Sequence, residues 1–443
     1  MRLHPFARLA VRPLPALVLT GLAMLGASLG VAEDSFEDLL ANLKSPTART
    51  RLSAAMALGK SRRRDAVAPL SALVRDPEPK VRLEVVGALR SLRDVSAVPA
   101  LVTSLQDGDP KVREEAISAL VEIYAERERG GPIERFLQAF SDEYERSSVP
   151  PYTAVSPAVF KGLSGTLRDD QKSIRSASAY AIGILGGGSA VQDLATAVQD
   201  PEAEVRAAAA TALGKSGTAA QGRALIPLLA DDSLTVRNRA LQAVGVLRVR
   251  EAGPPLREIY EQNRRRELGT RALSALARIG DPAQADLFRE LLESSDPERR
   301  RLAIEGLGRI ADATLLPSFK KDYQRERDAD VRMAYNFAMV LLGDNAFLDS
   351  IVLGLAGSGA SASRSRGYLL ELGAKVAPDL HPYLADQDAR VRGALCDVLA
   401  QLGDTSAIPK LLPLRADANT EVADHANRAI EKLRRAGGAA PEP

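Results

Sequence analysis

The sequence predicts an all-α fold, an α-solenoid of about twelve stacked helical hairpins. One phrase, seen as KVRLEVVGAL from Lys80 and EVRAAAATALG from Glu204, recurs about a dozen times at steps of 30 to 32 residues, with one double step of 62. A fixed period of this size is typical of stacked units, none of which can bury its apolar face alone. Small or apolar side chains stand at the third, sixth, seventh and tenth places after the Arg position of the phrase, and these places form one stripe of an α-helix. Strands are therefore not expected in the repeat region.

The repeated phrase forms the second helix of each unit. Its Arg position is filled by Arg in nine of twelve copies, and the residue seven places later is apolar in all of them. The residue six places later is Ala in nine copies, and small side chains allow a neighbouring helix to approach closely. Gly stands eleven places later in six copies, where it favours the left-handed conformation that ends a helix.

A shorter amphipathic segment upstream forms the first helix. It carries Pro near its start, as at Pro69 and Pro99, and a first-turn Pro removes no helical hydrogen bond. Asp-Pro pairs such as Asp76-Pro77 and Asp200-Pro201 separate the two helices, because Asp caps the helix that Pro begins. Each unit is therefore predicted to be a helical hairpin.

The Asp-Pro turn, the Val-Arg pair (as Val205-Arg206) and the run from Ala209 to Gly214 resemble HEAT-like repeats in the short form known from phycobilin-lyase-type proteins. The resemblance covers roughly residues 35 to 435. In that family the Arg meets an inter-helix Asp of a neighbouring unit, so the resemblance implies a structural ladder. The arginines assigned to it are Arg82, Arg113, Arg175, Arg206, Arg237, Arg332 and Arg392. The family includes scaffolds, regulators and a few enzymes, so the resemblance indicates the fold more strongly than the function.

The first 32 residues are predicted to be a signal peptide. A basic start is followed by apolar and small residues from 14 to 31, and small residues precede a cleavage point after Ala32. The protein is then exported, periplasmic or secreted. An uncleaved anchor is the alternative, since an apolar run of this length is borderline for a membrane span. Cleavage removes three arginines and changes the balance from 59 basic and 57 acidic residues to 56 and 57. Such a balance argues against a nucleic-acid partner, and no stable membrane anchor is expected after cleavage.

The repeat regions are 33–130 and 161–435, and they flank an irregular insert or degenerate repeat at 131–160. Six of the 18 aromatic residues lie between Tyr124 and Phe160. Aromatic residues commonly anchor protein interfaces, so Tyr144, Tyr152 and Phe160 are the predicted partner-binding residues. The alternative is a degenerate repeat whose aromatic residues fill a gap in the stack. A loose loop or frayed helix start is expected at 357–367, and a disordered tail at 436–443.

The sequence suggests no catalytic residues, cofactor or metal site. Apart from His4 in the predicted signal peptide, the histidines are His381 and His425, and their spacing suggests no metal centre. Cys396 is expected to pack in a helix. We therefore expect a non-catalytic, exported scaffold for protein–protein interaction. A small-molecule-binding or lyase-like protein of the phycobilin-lyase group is the alternative.

Overall fold

The computed structural model describes residues 35–124 and 155–436, which form 24 α-helices and contain no strand. Numbered in chain order, the helices are α1 (Phe36–Asn42), α2 (Ala48–Lys60), α3 (Val67–Ser71), α4 (Pro79–Leu92), α5 (Val98–Ser104), α6 (Pro110–Tyr124), α7 (Pro157–Thr166), α8 (Lys172–Ile184), α9 (Val191–Ala197), α10 (Ala203–Ser216), α11 (Ala219–Gly222), α12 (Leu234–Val246), α13 (Gly253–Gln262), α14 (Glu267–Ile279), α15 (Ala285–Leu291), α16 (Pro297–Ile310), α17 (Leu316–Tyr323), α18 (Ala329–Leu341), α19 (Leu348–Leu353), α20 (Ala360–Leu372), α21 (Ala377–Leu380), α22 (Ala389–Leu402), α23 (Ile408–Leu411) and α24 (Thr420–Ala436).

Short 3-10 helices precede or extend many of the first helices. They are Arg64–Ala66, Val95–Ala97, Gly188–Ala190, Arg223–Ala230, Arg250–Ala252, Pro282–Gln284, Ala313–Leu315, Asn345–Phe347, Gly354–Ala356, Gly373–Lys375, His381–Ala385, Thr405–Ala407 and Leu412–Ala416. Prolines inside several of these segments remove backbone N–H donors, which favours short and irregular first helices.

The helices pair into twelve hairpins, each made of an odd-numbered first helix and the even-numbered second helix that follows. The second helices stack on one another from α2 to α24 in chain order. Close stacking depends on the small residues. A Cβ added to Gly183 on α8 would lie 2.7 Å from the Cα of Ala212 on α10, so both positions must stay small. The predicted all-α solenoid of about twelve hairpins is confirmed for the described residues.

The core runs along the length of the stack between first and second helices. It forms two clusters of buried side chains, one from Leu43 to Met339 and one from Phe337 to Leu433. The two clusters overlap in sequence on α18, where Phe337 and Tyr368 stack with ring centroids 4.1 Å apart. Cys396 is fully buried in the second cluster, and burial raises the pKa of its thiol to about 12.

Two local expectations need correction. The Gly- and Ser-rich stretch at 357–367 is not a loose loop beyond Gly359, because α20 begins at Ala360 and continues to Leu372. Its small side chains allow close packing: Ser365 is buried, and its hydroxyl would lie 2.2 Å from a Cβ added to Gly354. The repeat after the irregular segment also resumes earlier than residue 161, since α7 starts at Pro157.

Candidate functional site

The arginine of the repeated phrase links two successive inter-helix turns of the stack, as Arg206 illustrates. Its Nε and Nη2 donate to the two carboxylate oxygens of Asp231 in the next unit, at 2.7 and 2.9 Å. Its Nη1 donates to the backbone carbonyl oxygen of Asp200, six residues earlier, at 2.9 Å. This planar, two-point contact is the strongest form of arginine–carboxylate hydrogen bonding. Hydrogen bonding by Arg206 lowers the pKa of Asp231, so the carboxylate stays ionised.

Seven arginines make this bidentate contact, which we call a rung. Their side chains are 13–20% exposed and the carboxylates 4–13%. Each carboxylate also accepts the backbone N–H two residues later. The rungs are Arg51–Asp76, Arg82–Asp107, Arg113–Asp169, Arg175–Asp200, Arg206–Asp231, Arg300–Glu326 and Arg392–Asp417.

The other two arginines predicted for the ladder do not reach a carboxylate. Arg237 donates to the carbonyl oxygens of Asp231 and Asp232, and Asn263 stands where the next rung would need an acid. Arg332 donates to backbone carbonyls and lies over the ring of Tyr323, 4.1 Å from its centroid.

The ladder has a gap at α14 for a steric reason. Its Arg position is Gly269, where an added Cβ would lie 2.2 Å from the carbonyl oxygen of Asn263. The turn before α14 thus occupies the space that a longer side chain would need, so no arginine fits there.

The irregular segment does not interrupt the stack. Arg113 on α6 makes its rung with Asp169, 56 residues later, at 2.6 and 2.9 Å. The usual separation is 25 residues, so an extra 31 residues lie between these neighbours. Helix α6 packs directly on α8, and α5 on α7.

The structure places one of the three predicted partner-binding residues in the core. Phe160 on α7 is 7% exposed, and its ring would lie 2.5 Å from a Cβ added to Gly188. Its prediction as an exposed anchor was wrong, because α7 is an ordinary first helix and Phe160 faces the stack. Tyr144 and Tyr152 lie outside the described residues.

A second charged network, which we call the inner brace, was not predicted. It consists of Arg248, Arg301, Glu305, Arg309, Tyr368 and Glu371. Glu305 accepts from Arg301 at 2.5 Å, from Arg309 at 3.2 Å and from the Tyr368 hydroxyl at 2.6 Å.

Burial alone would raise the pKa of Glu305, but the two arginines and the Tyr368 hydroxyl lower it to about 2. Burial and the adjacent Glu305 raise the pKa of Tyr368 well above its usual range, so the phenol stays neutral and donates. The ionisable groups of the brace thus satisfy one another.

Arg309 is the centre of the brace. Its side chain is 6% exposed, and it donates to both oxygens of Glu371 at 2.8 and 2.9 Å. It also lies over the ring of Phe337, 5.1 Å from the centroid. Glu371 in turn accepts from Arg248 at 2.6 Å.

The brace joins units that are far apart in the stack. Arg309 and Glu371 belong to units two apart, while Arg248 and Glu371 belong to units four apart. Four units in a straight stack would be separated by roughly 30–40 Å. Contact over that interval requires the ends of the second helices that carry these residues to bend toward one another, so the stack is curved between residues 248 and 371.

A further row of charge pairs connects the first helices. A Lys or His side chain in one first segment contacts an Asp at the start of the next in Lys320–Asp344 and His381–Asp404, both at 2.6 Å. Arg289–Asp312 follows the same pattern at 3.7 Å. The sequence signal for this row is the Asp that caps the 3-10 helix at the start of the later segment of a pair, as at Asp344 and Asp404.

A surface groove of about 520 Å³ lies between the last two units. Pro382, Leu384, Pro413 and Leu414 provide apolar lining, and the polar side chains include His381, Asp386, Lys410 and Asp417. Arg392 and Asp417 also line it, so the groove borders the last rung of the ladder.

The described residues contain neither a metal-binding group of three or more His, Cys, Asp or Glu side chains nor a helix long and apolar enough to cross a membrane.

Comparison with known proteins gives the family and the fold. A HEAT-repeat model matches residues 36–127, 160–245 and 253–339. An engineered protein of known structure shares 18% identity over 91% of this chain and 99% of its own, with a TM-score of 0.37. The complex of CpcE and CpcF of phycocyanin lyase from Nostoc sp. PCC7120 shares 20% identity over 73% and 100%, with a TM-score of 0.30. Kap95p, solved with RanGDP, shares 15% identity over 91% and 57%, with a TM-score of 0.49. No curated protein matches the sequence significantly.

Proposed function

The chain belongs to the HEAT-repeat proteins, and on this premise we propose that it is a non-catalytic, exported scaffold that binds a protein partner. The observation that carries the proposal is the Arg113–Asp169 rung. It joins the units on either side of residues 125–154 with the same geometry as the other rungs. We infer that stacking of the repeats is not the reason for the aromatic residues of that segment. A partner-binding role for Tyr144 and Tyr152 does explain them, since aromatic side chains dominate the energetics of protein interfaces.

The non-catalytic part of the proposal is supported by how the charged side chains are used. The buried acid Glu305 is paired with Arg301 and Arg309 and accepts a hydrogen bond from the Tyr368 hydroxyl. The rung carboxylates are occupied in the same way. A general base or nucleophile needs an ionisable group that can face a substrate, and these groups face one another.

The inner brace also limits where a partner can bind. Because Arg248 and Glu371 pair across this interval, we infer that a partner does not lie between them. We propose that binding uses the segment at 125–154 and the outward-facing edges of the stack.

Capture of the partner tests this proposal. We expect the wild-type protein to capture a specific protein from a periplasmic extract, and Tyr152→Ala to remain folded and bind it more weakly, by about 2 kcal/mol if Tyr152 is central. Met56→Ala is the control, since Met56 is an exposed apolar residue at 40% exposure on α2. Binding that survives deletion of Ser147 to Ser156 would exclude this segment as the partner site.

Export is tested separately. The proposed signal peptide ends at Ala32, so the exported protein should have the intact mass of a chain that begins at Glu33. A membrane-bound protein that retains Met1 would contradict cleavage.

The groove at the last two units supports the alternative function, a small-molecule-binding or lyase-like protein. Its volume of about 520 Å³ lies within the range of small-molecule sites, and its lining combines apolar side chains with His381, Asp386 and Lys410. A chromophore or other small molecule that copurifies with the protein, and is lost in His381→Ala, would favour this alternative.

A further inference from the structure

The ladder has one rung that contains the acid and lacks the arginine. Rung carboxylates stand six residues before the next Arg position, as Asp200 stands before Arg206, and Asp386 holds that place before Arg392. The side chain that would face Asp386 from the preceding unit belongs to position 362, which is Ala362 on α20. The methyl side chain of alanine cannot donate a hydrogen bond, so this rung has its acceptor and lacks its donor.

Asp386 is held in the same way as the carboxylates of complete rungs. Its Oδ1 accepts the backbone N–H of Asp388 at 2.8 Å, as Asp200 accepts that of Glu202 at 2.9 Å. Its backbone carbonyl accepts from Arg392 at 2.7 Å, as that of Asp200 accepts from Arg206. The carboxylate is therefore fixed in the local conformation that receives a guanidinium elsewhere in the ladder.

The arginine closest to Ala362 in the sequence does not compensate for it. Arg364, two residues later, pairs with Asp330 of the preceding unit. Across residues 35–124 and 155–436, no Lys, Arg or His nitrogen lies within 4.0 Å of the Asp386 carboxylate.

The groove between the last two units adjoins this rung. Asp386 lines it together with Leu384, Pro413 and Leu414. A chain segment that brought an arginine to Asp386 would thus have apolar surface beside it for a neighbouring side chain.

We propose that Asp386 receives an arginine side chain from the protein partner, which completes the ladder in trans. The inference rests on the proposed scaffold function and names the chemistry of one contact. Arginine is favoured over lysine because the rung geometry uses two parallel N–H donors toward one carboxylate and a third toward a backbone carbonyl, which a single ammonium cannot reproduce. The carbonyls at the equivalent positions here are those of Ala356 and Gly357.

Two arginine substitutions test whether the rung has this geometry. Ala362→Arg should complete it from within the chain and raise the unfolding midpoint by about 1–2 °C. Ala423→Arg is the matched control, because Ala423 holds the same position on α24, after which the described structure contains no further unit. It should leave the midpoint unchanged.

Saturation-transfer NMR with Nα-acetyl-arginine amide tests binding directly, with the citrulline and lysine amides as comparators. The arginine signal should fall at least about fivefold in both Asp386→Asn and Ala362→Arg, and persist in Ala423→Arg. An arginine signal that either Asp386→Asn or Ala362→Arg leaves unchanged, or an equal signal from citrulline, would overturn the inference.

The partner separates this inference from the scaffold proposal. If the wild type captures a protein that Ala362→Arg no longer binds and Ala423→Arg still does, the inference is supported. If Ala362→Arg captures it equally well, the inference is wrong and the scaffold proposal stands. If the wild type captures none, the scaffold proposal fails, and the inference about its partner fails with it.

Discussion

The ladder and the inner brace use the same chemistry in two different places. In both, an arginine makes a bidentate contact with a carboxylate at 2.7 to 2.9 Å, as Arg206 does with Asp231 and Arg309 with Glu371. The ladder joins neighbouring units and its arginine is 17% exposed. The brace joins units two and four apart, and its central arginine is 6% exposed.

The difference shows what a repeat encodes and what it leaves open. A contact between neighbours recurs with the period, so it can be read from the sequence and fails only where a unit departs from the consensus. A contact between distant units depends on the bend of the whole stack and occurs once. The ladder therefore defines how units stack, and the brace fixes how far this part of the stack is bent.

Removing the central arginine of the brace should have the largest effect on stability. Arg309→Met leaves Glu371 and Glu305 without a shared cation in a buried setting, and the loss of one partner of a buried pair destabilises by about 3–5 kcal/mol. Urea unfolding followed by far-UV circular dichroism measures the free energy. Arg206→Met is the matched control on the ladder, and an equal loss in both variants would remove the distinction between brace and ladder.

Acid should weaken the brace through Glu305. Its pKa is about 2 in the folded protein and about 4.5 in an unfolded chain, so its ionised form stabilises the fold above pH 4.5. That contribution, about 3 kcal/mol, is lost as the pH falls from about 4.5 to about 2. The difference in unfolding free energy between wild type and Glu305→Gln should shrink by that amount over this range. The ladder carboxylates titrate in both proteins and cancel, so a difference that does not change with pH would contradict the assignment.

Breaking one rung should cost less than breaking the brace. Arg206→Ala leaves the Asp231 carboxylate with a backbone N–H but no cation, and we expect a loss of roughly 1–3 kcal/mol. Because the rung is partly exposed, water replaces some of the lost contact. A variant that unfolds at the same urea concentration as wild type, yet loses binding to its partner, would show that the ladder serves recognition.

The fold could be predicted from the sequence because its causes are local and repeated. The third, sixth, seventh and tenth places after the Arg position define a buried helical stripe in unit after unit, and Ala212 beside Gly183 shows why the small positions must stay small. The departures were harder to interpret. In the sequence, Gly269 is only a position where the repeat lacks its arginine. The structure adds the reason, because the Asn263 carbonyl oxygen leaves no room for a side chain there.

The candidate sites were predicted less completely, for a physical reason. Arg301, Glu305 and Arg309 lie four residues apart on one helical stripe, which suggests ordinary ion pairs within a helix. Their importance comes from Tyr368 and Glu371, more than 60 residues later in the sequence, which approach only when the stack bends. Phe160 was mistaken for an anchor because it borders the irregular segment, although it belongs to an ordinary repeat.

Replacing Arg237, the last ladder arginine before the gap at α14, should have the smallest effect on stability. This variant separates the contribution of the arginine itself from that of its pairing with a carboxylate. Arg237 occupies the same place on α12 as Arg206 on α10, yet it donates only to the carbonyl oxygens of Asp231 and Asp232, at 2.5 and 3.3 Å. Its loss leaves no carboxylate without a cation, so Arg237→Ala should cost less than about 1 kcal/mol, measured by urea unfolding beside Arg206→Ala. If Arg237→Ala and Arg206→Ala lower the free energy of unfolding equally, the contacts to backbone carbonyls stabilise the turns and the rung carboxylates add little stability. If Arg237→Ala is nearly neutral, the pairing of guanidinium with carboxylate is what stabilises the ladder, and that is the interaction a partner's arginine would supply at Asp386.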